Sequence, residues 1–186
     1  MGFRELEGIH SRTDFDLGNH EKFSGKKIQY FDPETNQSYV PYVVETSIGL
    51  DRLFLLTLCE AYAEEAVDGD TRTVLKLHPA IAPVKAAILP LVKKDGLPEL
   101  AEQIYNELRI DYNVYIEDKD SIGKRYRRMD AIGTPFCITV DHDSLANQDV
   151  TVRYRDTMEQ KRVKISDLGT VLQAEVSMSA LLKQLL

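Results

Sequence analysis

An α/β protein is predicted by this sequence, with a mixed five-stranded sheet and three helices in its second part and a strand-turn-strand-helix segment ahead of them. Three observations predict it. Short apolar runs alternate with amphipathic stretches beyond residue 84, the pattern of strands joined by helical crossovers. Two β-rich runs, "DVTVRYR" and "KRVKISDL", flank the turn-like "DTMEQ" and read as an antiparallel hairpin. The charged stretch "EEAVDGDTRT" separates two regimes of periodicity, which places a domain boundary near Asp70 and divides the chain into 1–70 and 71–186.

The elements follow in order. "MGFRELEGIHSRTDFDLGNHEKFSGKKIQYFDPET" opens without a strong strand or helix signal and reads as the middle of something larger. "KKIQYF" and "SYVPYVVET" are extended runs separated by "DPETNQ", whose Asp, Pro and Asn favour a turn. After Gly49, residues Leu50, Leu53, Phe54, Leu58 and Ala61 recur at helical spacing, which predicts a core helix to about Glu65. "KAAILPLV" then reads as a buried strand, and Leu97, Leu100, Ile104 and Leu108 share one face of a helix. "YNVYIED" is a second strand, "SIGKRYRRMDAIG" a helix with Ile122, Tyr126 and Met129 inward, and "PFCITVD" a third strand. The hairpin follows, and a last helix is expected over 167–185, capped by Ser166 or Asp167.

Composition narrows the class. A chain of 186 residues can bury a core without disulfides, and Cys59 and Cys137, far apart, argue for reduced thiols in a cytoplasmic setting. No apolar run approaches the roughly 18 residues of a membrane span. The net charge of -7 disfavours indiscriminate phosphate binding, so contact with nucleic acid would need a local basic surface. His10 and His20, ten residues apart with no cysteine nearby, do not form a metal-ligand pattern, and no metal is expected.

The polar residues of "ETSIGLDR" need a further account. Glu45 and Ser47 lie two apart on a strand and share a face, Gly49 leaves room for a ligand, and Arg52 stands on the opening turn of a helix, where free N–H groups already favour anions. The bland alternative is a helix start capped by Ser47 with Arg52 paired to Asp51 or Glu45. "ETSIGLDR" resembles the third signature motif of class II aminoacyl-tRNA synthetases, and with "RTDFDL" upstream it resembles the glycyl-tRNA synthetase family. "GKRYRRMDAIGTPFCITVD" and "VTVRYRDTMEQKRVKISDL" resemble the anticodon-binding domain shared by the glycine, threonine, proline and histidine enzymes.

The resemblance implies roles. Glu45 and Ser47 would orient glycine, with Arg12 lining the same pocket and Asp14 and Asp16 as further candidates; Arg52 and Gly49 would serve ATP. Arg12 and Asp14 could equally form a surface ion pair. Residues 1–70 would then be the end of a class II catalytic domain, and 71–186 the anticodon-binding domain. Lys124, Arg125, Arg127 and Arg128 on one helix, and Arg153 and Arg155 on one strand, would meet tRNA phosphates. Glu117 and Asp118 would accept hydrogen bonds from bases, with Tyr112, Tyr115 or Tyr154 as stacking partners.

Nothing matches the family's first two motifs, so the chain reads as a C-terminal fragment of a glycine-tRNA ligase, inactive alone. The intact enzyme would be a homodimer using glycine, ATP with Mg2+ and tRNA(Gly); the fragment itself is expected to hold no cofactor. A noncatalytic relative that binds RNA or assists a polymerase is the alternative.

Overall fold

A computed structural model describes residues 5–67 and 69–185, in two compact units that divide between Leu56 and Thr57. In the first unit, β1 (Glu7–Thr13) pairs antiparallel with β4 (Val43–Ile48), setting Gly8 against Ser47 and His10 against Glu45. Between them come α1 (Phe15–Ser24), closed by Gly25 at a φ of 69°, and a hairpin of β2 (Tyr30–Asp32) and β3 (Gln37–Tyr39). Asp32 organises its turn, accepting from the Glu34 N–H at 2.9 Å and the Thr35 hydroxyl at 2.7 Å.

Two expectations are corrected here. The opening stretch does contain a strand and a helix; "EGIHSRT" lacks an apolar alternation because β1 is fixed by its ladder with β4 and buries only Gly8. The helix from Leu50 to Ala61, labelled α2, forms as expected, yet it is not core: Leu50 is 76% exposed and Phe54 64%, and only Ala61 is buried. Among the described residues up to Leu56, no apolar side chain larger than glycine is buried.

The second unit takes in the end of α2 from Thr57 and continues with a hairpin of β5 (Tyr62–Val67) and β6 (Asp70–Leu75). Helix α2 therefore stops four residues earlier than periodicity suggests, because from Tyr62 onward exposure alternates with period two. The chain then builds a five-stranded sheet from β7 (Ala86–Pro90), β8 (Val114–Ile116), β9 (Phe136–Val140), β10 (Asp149–Tyr154) and β11 (Gln160–Lys164), in the spatial order β11-β10-β9-β7-β8. The first three strands are parallel and the last two antiparallel, so the sheet is mixed.

Helix α3 (Leu97–Leu108) lies between β7 and β8, and α4 (Ile122–Ala131) between β8 and β9. They cover opposite faces. On one face Leu97, Leu100, Ile104 and Leu108 of α3 pack with Ile88, Ile138 and Val152; on the other, Met129 and Tyr126 of α4 pack with Ala87, Leu89 and Cys137. A short α5 (His142–Asn147), unexpected from periodicity, is closed by a capping box in which Asp141 accepts from the Ser144 N–H at 3.0 Å. The last helix is broken: a 3-10 turn at 165–167 leads into α6 (Leu168–Val176), and α7 (Met178–Leu185) begins after extended Ser177. Asp167 occupies the cap position of α6 without a side-chain cap bond.

Candidate functional site

Two polar clusters stand out, one in each unit. In the first, the tip of β4 and the start of α2 enclose an open depression of about 570 Å³ lined by Glu5, Leu6, Ser47, Gly49, Asp51 and Arg52, among others. Gly49 keeps room for the arginine: a Cβ there would stand 3.3 Å from Arg52 Cδ. The Arg52 Nη1 donates to the Glu5 carbonyl at 2.5 Å, and not to Asp51 or Glu45. Glu45 does not line this depression. Its Oε2 lies 3.6 Å from Arg12 Nε, and Arg12 makes a two-pronged bond to Asp16 at 2.8 and 2.9 Å. Asp16, rather than Asp14, is therefore the partner of Arg12. That guanidinium holds the Asp16 carboxyl below its ordinary value, chiefly through the hydrogen bond. The structure thus brings Ser47, Gly49 and Arg52 together, and separately Arg12, Asp16 and Glu45.

The second cluster follows from topology. Because the connections leaving neighbouring β7 and β8 pass to opposite faces, a crevice opens beyond their carboxyl ends. It measures about 320 Å³ and is lined by Pro90, Pro98, Glu102, Tyr105, Ile116, Glu117 and Asp118. Glu117 is held by Arg128 Nη2 at 2.5 Å, and the same guanidinium reaches Asp120 at 2.9 Å. Asp118 pairs with Lys93 at 3.1 Å on the rim. Lys124 is exposed, and Arg127 is half-buried with an Nη1 that has no hydrogen-bond partner.

Glu102, Tyr105 and Lys93 carry no signal in the sequence that singles them out. The first two lie on α3 beside its apolar stripe, where pattern reading sees only a helix flank. The proposed stacking residues divide: Tyr115 is 47% exposed, whereas Tyr112 donates its hydroxyl to the Gly169 carbonyl at 3.1 Å and Tyr154 packs edge-on against Phe136.

Three of the basic residues expected at the RNA surface are inside the unit. Arg125, Arg153 and Arg155 are 2%, 6% and 2% exposed. Arg153 lies on β10 opposite Cys137, whereas Arg155 falls just past the end of that strand, its N–H donating to the Pro135 carbonyl at 2.9 Å, so both stand near the amino end of β9, away from the crevice. There Arg153 forks onto Asp130 at 2.9 and 3.1 Å, and Arg155 donates to the carbonyls of Gly133 and Leu77 at 2.8 and 2.7 Å. Arg72 of β6 completes the group, donating to Asp130 at 2.8 Å and to Glu65 at 2.5 Å. Burial opposes its charge, yet Asp130 and Glu65 raise its pKa above the ordinary arginine value. Spacing along β10 could not reveal this, because the buried carboxylate that attracts these side chains comes from α4.

Comparison with known proteins bears on the fold of the second unit. A family model described as "Anticodon binding domain" matches residues 85–175, which span the five-stranded sheet and most of α6. The crystal structure of the RNA binding domain of threonyl-tRNA synthetase from Cryptosporidium parvum Iowa II is similar in fold, with a TM-score of 0.67 and 19% identity, covering 92% of this chain and 39% of that one. Residues 85–175 are therefore similar to anticodon-binding domains. The curated relatives narrow the likeness. Over 179 residues the chain is 54% identical to a glycine-tRNA ligase of Borrelia hermsii, covering 95% of this chain and 40% of the relative, and over 172 residues it is 56% identical to one of Chlorobaculum tepidum, covering 92% and 37%. The chain is thus similar over nearly all of its length to glycine-tRNA ligases, and spans about two fifths of the length of the relatives it matches.

Proposed function

We propose that this chain contributes two parts of a glycine-tRNA ligase: the segment 45–52, which completes the pocket for glycine and ATP, and the sheet of the second unit, which holds the anticodon of tRNA(Gly). The observation that carries the second part is the crevice at the carboxyl ends of β7 and β8, lined by Glu117 and Asp118, with Lys124 exposed on the adjoining helix. Carboxylate oxygens accept hydrogen bonds from exocyclic amino groups of unstacked bases, and exposed cations meet the backbone. Lys124 and Arg127 are the phosphate contacts in this reading. Arg128 orients Glu117, and Arg125, Arg153 and Arg155 serve the interior.

For the first part, the cluster around Ser47 supplies a hydroxyl, a guanidinium and an open approach to the backbone, the chemistry that an adenylate-forming site needs for positioning and charge neutralisation. Arg52 would meet ATP phosphate, whose Mg2+ supplies further neutralisation in the intact enzyme. Glu45 would accept from the glycine ammonium, with Arg12 setting the carboxylate's position across the strand pair. The exposed apolar side chains Ile9, Val44, Ile48 and Leu50 support packing of this unit against further polypeptide, as does the larger size of the relatives. In this reading the first unit belongs with the catalytic domain, the boundary falling before the paired strands β5 and β6 instead of near Asp70, and the intact enzyme works as a homodimer in the cytoplasm.

The test is glycine-dependent exchange of pyrophosphate with ATP. The intact ligase is expected to catalyse it, and to lose about 100-fold or more of its rate with Arg52→Ala, as for removal of a positioned charge-stabilising donor. The chain alone is expected to show none. Exchange by the 186 residues alone, or an Arg52→Ala ligase of full activity, contradicts the reading.

A further inference from the structure

Arg125 is nearly sealed from solvent, yet it forms no ion pair among the described residues. Its partners are all main-chain carbonyls. Nη1 donates to Pro90 at 2.7 Å and to Glu117 at 3.2 Å, and Nη2 to Leu91 at 3.2 Å, while Nε has no partner. Burial pushes its pKa down, with no carboxylate at hydrogen-bond distance to offset the cost. The other buried arginines differ, for Arg72 and Arg153 meet Asp130, and Arg155 meets Asp156. A guanidinium held in this way costs stability unless the carbonyls it satisfies could not be satisfied otherwise.

The three carbonyls explain the choice. Pro90 ends β7, Leu91 follows it, and Glu117 follows β8, so all three lie where two neighbouring parallel strands turn into loops. Pro90 and Glu117 also both line the crevice. A rigid fork with several donors satisfies the carbonyls of both segments from one side chain. One turn further along α4, Arg128 fixes the Glu117 side chain, so that residue is held by its carbonyl from Arg125 and by its carboxylate from Arg128.

We propose that Arg125 is a positioning residue for base reading: it ties the loops after β7 and β8 into one frame, so that discrimination among anticodons depends on a side chain that does not touch RNA. The proposal rests on the anticodon reading above and adds to it the residue that holds two of the segments lining the crevice.

The experiment compares the full chain with Arg125→Lys and Arg125→Met, using the anticodon stem-loop of tRNA(Gly) and the same RNA with one anticodon base replaced. Binding of both RNAs is measured over a range of salt, and folding is followed by thermal unfolding. A positioning role predicts that the ratio of the two affinities falls about tenfold in Arg125→Met and by a smaller factor in Arg125→Lys, while the slope of log K against log salt keeps its wild-type value. A slope shallower by about one unit marks a direct phosphate contact and overturns the proposal. A ratio within about twofold of wild type in a folded variant marks a purely architectural role and overturns it too. Should Arg125→Met fail to fold, Arg125→Lys decides by the same two criteria. A wild-type chain indifferent to the base change refutes the anticodon reading itself; a discriminating wild type with equally discriminating variants refutes only the role given to Arg125.

Discussion

The two ends of the five-stranded sheet surround their arginines with different partners. At the amino end of β9, Arg72, Arg153 and Arg155 converge on Asp130 and on loop carbonyls and are lost to solvent. At the carboxyl end, Lys93, Lys124 and Arg128 stand at or near the surface around a crevice walled by carboxylates. Arginines at the amino end gather on a buried carboxylate, whereas at the carboxyl end Arg125 is buried on main-chain carbonyls and Arg128 holds Glu117 from the surface. What separates the roles is the position of one acidic residue, Asp130, which is fully buried between α4 and β10.

The comparison breaks most readily at Asp130. Asp130→Ala leaves buried Arg153 without a carboxylate and Arg72 with Glu65 alone, so the second unit is expected to lose about 3 to 5 kcal/mol, read as a fall in urea midpoint. A loss below about 1 kcal/mol would mean that the buried group is cheaply rehydrated and that the two ends differ less than their geometry suggests. The apolar layer between the ends sets a reference. Ile104→Ala, at 2% exposure on α3, is expected to cost about 2 to 5 kcal/mol, while Ile9→Ala in the first unit, 70% exposed, is expected to stay within about 0.5 kcal/mol.

Acid sharpens the contrast with a smaller effect. Glu65 is held below its ordinary value, first by Lys76 and also by Arg72, against the opposing effect of burial. A depressed carboxylate contributes stability that is present above its unfolded value and lost as pH falls through its folded one. Stability of the second unit is thus expected to decline as pH drops below about 4.3, and Glu65→Gln should remove part of that decline. An acid limb unchanged by Glu65→Gln would remove Glu65 from the linkage.

Smallest in energy is the difference between the thiols. Cys137 is buried and its thiol is pushed up to about 12, whereas Cys59 is exposed. Alkylation of the native chain is expected at Cys59 alone.

Much of the second unit was legible because its signals are periodic. Leu97, Leu100, Ile104 and Leu108 face inward as their spacing predicts, and the parallel strands read as continuous apolar runs because both faces are covered. The strand β1 and the hairpin β5-β6 were not legible, since each is defined by its ladder and carries little apolar pattern of its own. The motif "ETSIGLDR" was visible as a constellation, but its partners were not: Arg52 turns to a main-chain carbonyl, and Arg12 to Asp16. The inward turn of Arg153 and Arg155 was hidden for the same reason. Sequence spacing says which side chains share a face and leaves open what lies against that face.

The most direct measurement is the salt dependence of stem-loop binding by a Lys124→Ala, Arg127→Ala double variant of the full chain, beside its thermal unfolding. The account predicts a slope of log K against log salt shallower than wild type by about one unit for each phosphate that is no longer neutralised, with the unfolding midpoint unchanged. A wild-type slope in the folded double variant would contradict it.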